Sequence, residues 1–170
     1  KEVSRSHKID ISPSGLISVL GGKWTTYRKI AEDALNTAIS IKKLKNRKCK
    51  TERKKLYGFK KNVDWSDPMH VYGSMQKKVK SLGTKSDNKS LSNKFYISNN
   101  IIEWSIIHEM AHTVEDVLAR RTRCVFLDSK ESKRIAPIVA KKMADVLGKD
   151  DKWIDAELKN FNKLIKNYIV

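Results

Sequence analysis

Cysteine is nearly missing: Cys49 and Cys124 are the only two in 170 residues. One sits in a Lys-rich stretch and the other at an apolar helix end, so they form neither a metal pair nor a disulfide framework. That suits a reducing compartment. No apolar run approaches the roughly 18 residues that a membrane span needs. The dinucleotide fingerprint Gly-x-Gly-x-x-Gly occurs nowhere. Zinc-finger, RNP and helix-turn-helix signatures are also lacking. No initiating Met opens the chain, and its first residues read as the inside of a strand. We therefore expect a C-terminal piece of a longer protein, whose upstream part would carry any leader.

Acidic residues are scarce too: 19 stand against 36 Lys and Arg, for a net charge of +17. Such an excess invites nucleic acid or an anionic membrane as partner. However, 28 of the 36 basic residues are Lys, in a chain also rich in Asn and Ile. Nucleotide composition alone produces that bias. Readers of nucleic acid lean more on Arg, whose planar fork suits phosphate and guanine. We expect no nucleic acid partner. The basic stretch Lys42 to Lys50, continued by Arg53-Lys54-Lys55, reads as a solvated connector. Its functional alternative is attachment to an anionic bilayer, where each clustered Lys gains about 1 kcal/mol.

The chain divides into residues 1–40, a connector at 41–64 and a helical domain at 65–170. In the first part, Ile9 and Ile11 alternate with polar neighbours, Pro13-Ser14-Gly15 is a turn, and Leu16 to Leu20 is a short apolar strand. A helix is predicted from about Trp24 to Ser40. In it Tyr27, Ile30, Ala31, Ala34, Leu35 and Ala38 recur at helical spacing. Two strands cannot bury a sheet, so the remaining strands are expected upstream. In the third part the predicted helices run from Pro68 to Leu82, from a Ser98 cap to Met110, and from a Thr113 cap to Arg123. Two more run from Asp128 or Ser129 to Leu147, stopped by Gly148, and onward from Asp150 or Asp151. The expected fold is mainly α: an all-helical C-terminal domain preceded by a short β-β-α segment.

Gly21-Gly22-Lys23-Trp24-Thr25-Thr26-Tyr27-Arg28 joins the apolar strand to the periodic helix. Glycines there let backbone approach a ligand closely, and a first helical turn offers unpaired N–H groups and a positive dipole end. A plain Gly-Gly turn before a packed helix explains the same pattern.

Two blocks carry a resemblance. Ser4-Arg5-Ser6-His7-Lys8-Ile9-Asp10-Ile11 followed by Gly15 through Glu32 resembles the end of the flavin domain of FAD-dependent glycerol-3-phosphate dehydrogenases and their sister oxidases. His108-Glu109-Met110-Ala111-His112-Thr113-Val114-Glu115-Asp116-Val117-Leu118-Ala119-Arg120-Arg121-Thr122-Arg123, with Phe126-Leu127-Asp128, resembles the helical C-terminal domain of that family. The likeness covers nearly the whole chain and is weakest between residues 41 and 100. It implies that residues 1–40 are the remnant of an α/β FAD-binding domain. It implies that Arg5 and Lys23 face sn-glycerol 3-phosphate, and that Gly21, Gly22, Lys23, Trp24, Thr25 and Thr26 lie along the flavin of FAD. The implied reaction gives dihydroxyacetone phosphate, with electrons passing to quinone, or to O₂ in the oxidases. The general base, the main FAD site and the chain's own N-terminal flavin domain would lie upstream. The expected location is cytoplasmic, peripheral on the inner membrane.

Three constellations have competing readings. His108-Glu109-Met110-Ala111-His112 matches the H-E-x-x-H zinc pattern. The Thr113 cap places a helix break at that motif, and the resembled family often has Arg at the second His position, so no metal is expected. Arg120, Arg121 and Arg123 suit a phosphate cluster or, as we prefer, structural pairing and docking of the helical domain on the flavin domain. Glu115 and Asp116 read as first-turn acids or their partners.

Overall fold

A computed structural model describes residues 6–168 of the chain. It shows a short β-β-α segment followed by an all-helical region, as expected. The chain separates into two compact units, Lys1–Tyr57 and Gly58–Val170. The division falls inside the basic connector.

In the first unit, β1 (His7–Ile11) and β2 (Ile17–Gly21) form an antiparallel hairpin with His7 opposite Gly21 and Ile11 opposite Ile17. A 3₁₀ turn at Trp24–Thr26 leads into α1 (Tyr27–Ile41). No described residue of this unit is fully buried. The apolar stripe of α1 splits in two. Ile30, Ala34 and Ala38 are half-buried, whereas Tyr27, Ala31 and Leu35 face outward with Trp24. Trp24 is 88 % exposed and Leu35 64 %. Leu16, Val19 and Leu20 of the hairpin are exposed as well. An amphipathic helix normally buries its apolar stripe, yet this line of α1 and hairpin side chains is exposed.

The second unit has its own core. Its helices are α2 (Gln76–Lys80), α3 (Asn99–Glu109), α4 (Cys124–Leu127), α5 (Ser129–Leu147) and α6 (Asp151–Ile165). Ile102, Leu118, Ile135, Val139, Met143, Phe161 and Ile165 are buried together. The helix starts have clear causes. Ser98, Asp128 and Asp150 each accept a first-turn N–H, from Ile101, Glu131 and Trp153. Gly148, in the left-handed region, stops α5.

Two helices differ from the sequence expectation. The predicted helix over 68–82 is a 3₁₀ segment at Pro68–Met75 followed by the short α2. Gly73 breaks it at φ +50° and ψ −121°. A Cβ there would sit 1.9 Å from the Gly58 carbonyl oxygen, which accepts the Ser74 N–H at 2.9 Å. A backbone partner has taken the place where a side chain would continue the helix. The helix beginning at Thr113 does start as expected. Thr113 Oγ1 accepts the Asp116 N–H, while Asp116 Oδ2 accepts the N–H groups of His112 and Thr113. It then widens into a π-helix over Asp116–Arg121. The Val117 carbonyl takes both the N–H and the hydroxyl of Thr122, at 3.0 and 2.7 Å, which holds the wider turn.

The buried apolar cluster and the start of α5 each give a stability test. Leu118→Ala removes a fully buried side chain from the core, and urea unfolding should show a loss of about 2–5 kcal/mol. Glu131 accepts from Arg134 at 2.8 and 2.7 Å and from the Ser92 hydroxyl at 2.6 Å. The Arg134 hydrogen bonds foremost, then Ser92, hold its carboxyl down at about 2. A carboxyl lowered in the folded state contributes stability above its unfolded value of about 4.3 and loses it as pH falls toward the folded one. Melting temperature should therefore drop more steeply between pH 4.5 and 2 in the unaltered chain than in Glu131→Gln.

Candidate functional site

The β2–α1 junction is built by two residues with positive φ, Gly21 at +74° and Gly22 at +91°. The second is required twice over. Its backbone conformation excludes most side chains, and a Cβ would lie 2.6 Å from Ile30 Cδ1 and 3.4 Å from His7 Cβ. The chain thus turns tightly from the hairpin edge onto the helix.

Lys23 follows with extended backbone. The Thr26 hydroxyl donates to the Lys23 carbonyl at 2.9 Å and accepts the Lys23 N–H at 3.3 Å. Thr26 is therefore the clasp of this turn, and its hydroxyl is engaged within it. Lys23, Trp24 and Thr25 are exposed around the clasp. The Trp24 ring lies 6.0 Å from the Tyr27 ring, tilted by 31°. First-turn N–H groups have no partner within their own helix. Acidic residues usually gather where the helix dipole is positive, yet neither the 3₁₀ turn nor the first turn of α1 has one. The turn therefore presents one ammonium, backbone N–H groups and no carboxylate of its own. That donor set fits an anion or the electron-rich edge of a ring carrying carbonyl groups.

Arg5 lies outside the described residues. Arg28, at the other end of the glycine stretch, turns toward the connector. Its Nη1 reaches Glu32 Oε2 at 2.9 Å, Thr51 Oγ1 at 3.4 Å and Cys49 Sγ at 3.7 Å. Thr51 hydrogen bonds hold the Cys49 thiol below its usual range. The buried Cys124 is raised by burial to about 11. A groove of about 620 Å³ lined by Asn36, Ile39, Lys43 and Cys49 lies along the C-terminal half of α1, away from the Gly21–Thr26 turn.

The structure separates the two histidines of the H-E-x-x-H stretch. α3 ends at Glu109, Met110 adopts the left-handed conformation, and the Ala111 N–H closes on the Ser105 carbonyl at 2.9 Å. His108 packs on Trp104, with ring centroids 4.0 Å apart, while the His112 N–H serves the Asp116 cap. They do not share one helical turn, which the zinc pattern needs. Arg120 and Arg121 are likewise engaged structurally. Arg120 pairs with Glu115 at 2.6 Å and Asp116 at 3.0 Å, and Arg121 Nε donates to the Glu109 carbonyl at 2.8 Å. Arg123, left-handed at φ +58°, lines a surface groove with Phe126.

One arrangement at the turn was not read from the sequence: His7 Nε2 meets Asp33 Oδ2 at 3.1 Å, and Lys29 Nζ meets Asp33 Oδ1 at 2.7 Å. The available signals were the Lys29/Asp33 spacing and the position of His7 at the first residue of a strand.

The family and relatives that match this chain extend across both units. The model of the family described as the C-terminal domain of alpha-glycerophosphate oxidase matches residues 17–154. The mitochondrial glycerol-3-phosphate dehydrogenase of Mesocricetus auratus is 30% identical over 193 residues, covering 97% of this chain and 26% of that protein. That of Bos taurus is 31% identical over 189 residues, with the same shares. Glycerol-3-phosphate dehydrogenase 1 of Mycobacterium tuberculosis (strain CDC 1551 / Oshkosh) is 33% identical over 148 residues, covering 81% of this chain and 28% of that protein. The chain spans about a quarter of the length of these curated relatives.

The doubly constrained glycine gives the test of this geometry. Gly22→Ala should lower the melting temperature of the protein by several degrees, since strain in φ and the contact with Ile30 each cost on the order of 1 kcal/mol. An alanine at 22 that melts like the unaltered chain would show that the turn relaxes freely.

Proposed function

Because the chain belongs to the glycerol-3-phosphate dehydrogenase and oxidase family, we propose that it is the C-terminal portion of a flavoprotein that oxidises sn-glycerol 3-phosphate to dihydroxyacetone phosphate. The observation that carries this reading is the family match from residue 17, which takes in the acid-free Gly21–Thr26 turn. FAD, when bound, supplies acceptance of the hydride that leaves C2 of the substrate, and quinone is the onward acceptor.

The residues of this chain have roles that fit such a group. Gly21 and Gly22 leave backbone bare on the hairpin edge. The N–H groups of Trp24 and Thr25, at the start of the turn, suit the ring carbonyls of a flavin, where reduction accumulates negative charge. The Lys23 ammonium suits the same charge or the phosphate dianion of the substrate, and Arg5 would grip that phosphate bidentately and so orient the carbon to be oxidised. Thr26, expected along the flavin, also holds Lys23 in place. The uncovered line of Trp24, Tyr27, Ala31 and Leu35, with Leu16 and Leu20, is surface suited to the chain's own upstream flavin domain.

The basic connector supports a peripheral seat on an anionic membrane. Lys54 and Lys55 stand directly before Leu56 and Tyr57, which are 72 % and 83 % exposed. Aromatic and aliphatic side chains beside Lys are the make-up of an interfacial contact. No described helix is long and apolar enough to cross a membrane.

The full-length protein should bleach a visible flavin band on addition of sn-glycerol 3-phosphate and then reduce a soluble quinone. Steady peroxide release without quinone reduction would assign it to the oxidases instead. Lys23→Ala in that protein should raise KM for sn-glycerol 3-phosphate or lower kcat by about 10²-fold. The isolated 170 residues should emerge from gel filtration without flavin absorbance, and retained colour would show a cofactor site within this chain.

A further inference from the structure

His7 opens β1 directly across from Gly21, at the end of the hairpin where the chain leaves for the helix. Its Nε2 is 3.1 Å from Asp33 Oδ2, and the other oxygen of that carboxylate is 2.7 Å from Lys29 Nζ. An ionised carboxylate only accepts, so His7 Nε2 carries the hydrogen and donates it. Asp33 stands one helical turn beyond Ile30, whose side chain fills the space above Gly22. The contacts thus close a ring: His7 to Gly21 by strand pairing, through Gly22 and Lys23 along the chain into α1, and from Asp33 back to His7.

The ring has little to do with the stability of α1 itself. Lys29 precedes Asp33 by four residues, the weaker order for a helical ion pair, and Lys29 is more than half exposed. What the contacts do fix is the angle between β1 and the first two turns of α1. The Gly21–Lys23 turn joins β2, the strand paired with β1, to α1 and has no side chain of its own to set its course before Lys23. The groups facing His7 are Asp33 from α1, with Lys29 beyond it, and the side-chain-free Gly21 and Gly22 of β2 and its exit.

We propose that His7 and Asp33 are positioning residues: their hydrogen bond, steadied by Lys29, holds the Gly21–Gly22–Lys23 turn at the position from which it meets the flavin and substrate. The catalytic part of this statement rests on the function proposed above. The mechanical part does not.

The test uses the full-length holoenzyme with three substitutions: His7→Leu, Asp33→Leu and His7→Gln. The Gln amide nitrogen falls near the place of Nε2 and keeps a donor for Asp33. Hydrogen exchange read by mass spectrometry over the peptide spanning residues 18–28 should quicken about tenfold in His7→Leu and Asp33→Leu. Combining the two leucines should add nothing further, because they cut the same bond. His7→Gln should restore most of the protection. In turnover, the leucine variants should raise KM for sn-glycerol 3-phosphate by about tenfold at unchanged flavin content, with recovery in His7→Gln. Unchanged exchange in His7→Leu would overturn the tie. So would a His7→Gln variant as exposed as His7→Leu, which would mark a need for the ring's bulk alone. A holoenzyme that never oxidises sn-glycerol 3-phosphate would remove the enzymatic reading, and the exchange result would still decide the tie.

Discussion

Ile30 occupies the space that any side chain at position 22 would need, and the rest of the β-β-α unit follows from that contact. With no Cβ on Gly22, the helix can lie close against the hairpin exit. With the helix that close, Asp33 comes within reach of His7, Ile30 and Ala34 find partial cover, and Lys23 is left on the outside of the bend. Fixing one backbone atom's surroundings thus sets the course of a six-residue turn. The unit gains little burial in return. No described residue in it is fully buried, so its order relies on hydrogen bonds, ion pairs and one tight packing contact rather than on a core.

The helical unit rests on different physics. Its inner surfaces exclude water from a continuous set of aliphatic and aromatic side chains, and its helix starts are satisfied by Ser98, Asp128 and Asp150. The motifs that look chemically loaded in this unit are absorbed into its joints. Glu109 takes the Trp104 indole N–H on its side chain and Arg121 on its carbonyl; Asp116 caps a helix and pairs with Arg120. Glu109, Glu115, Asp116, Arg120 and Arg121 in that stretch each have a structural partner that explains their presence. The candidate chemistry therefore stays with the first unit, whose Gly21–Thr26 turn falls within the residues that the family model matches.

The helix caps, the αL stop at Gly148 and the stretch of turn residues at 21–26 were legible in the sequence because each depends on neighbours within four residues. A Ser or Asp ahead of an apolar repeat needs no knowledge of the rest of the fold to act as a cap. The residues matching a known family were legible for the same reason: they are contiguous. The break at Gly73 was not, since the carbonyl that forbids a side chain there comes from Gly58, fifteen residues away. The widening at Asp116–Arg121 was hidden as well. A π turn keeps the helical pattern of apolar residues and differs only in which carbonyl each N–H chooses.

The sequence by itself determined the mainly helical class, the family and the residues of the glycine-rich turn, because local propensity, periodicity and contiguous motifs encode them. Only the tertiary structure decided which half of the α1 stripe is covered and that His7 and Asp33 meet. Those outcomes depend on the angle at which a strand and a helix pack. That angle is set by the space left at Gly22, not by the spacing of residues along the chain.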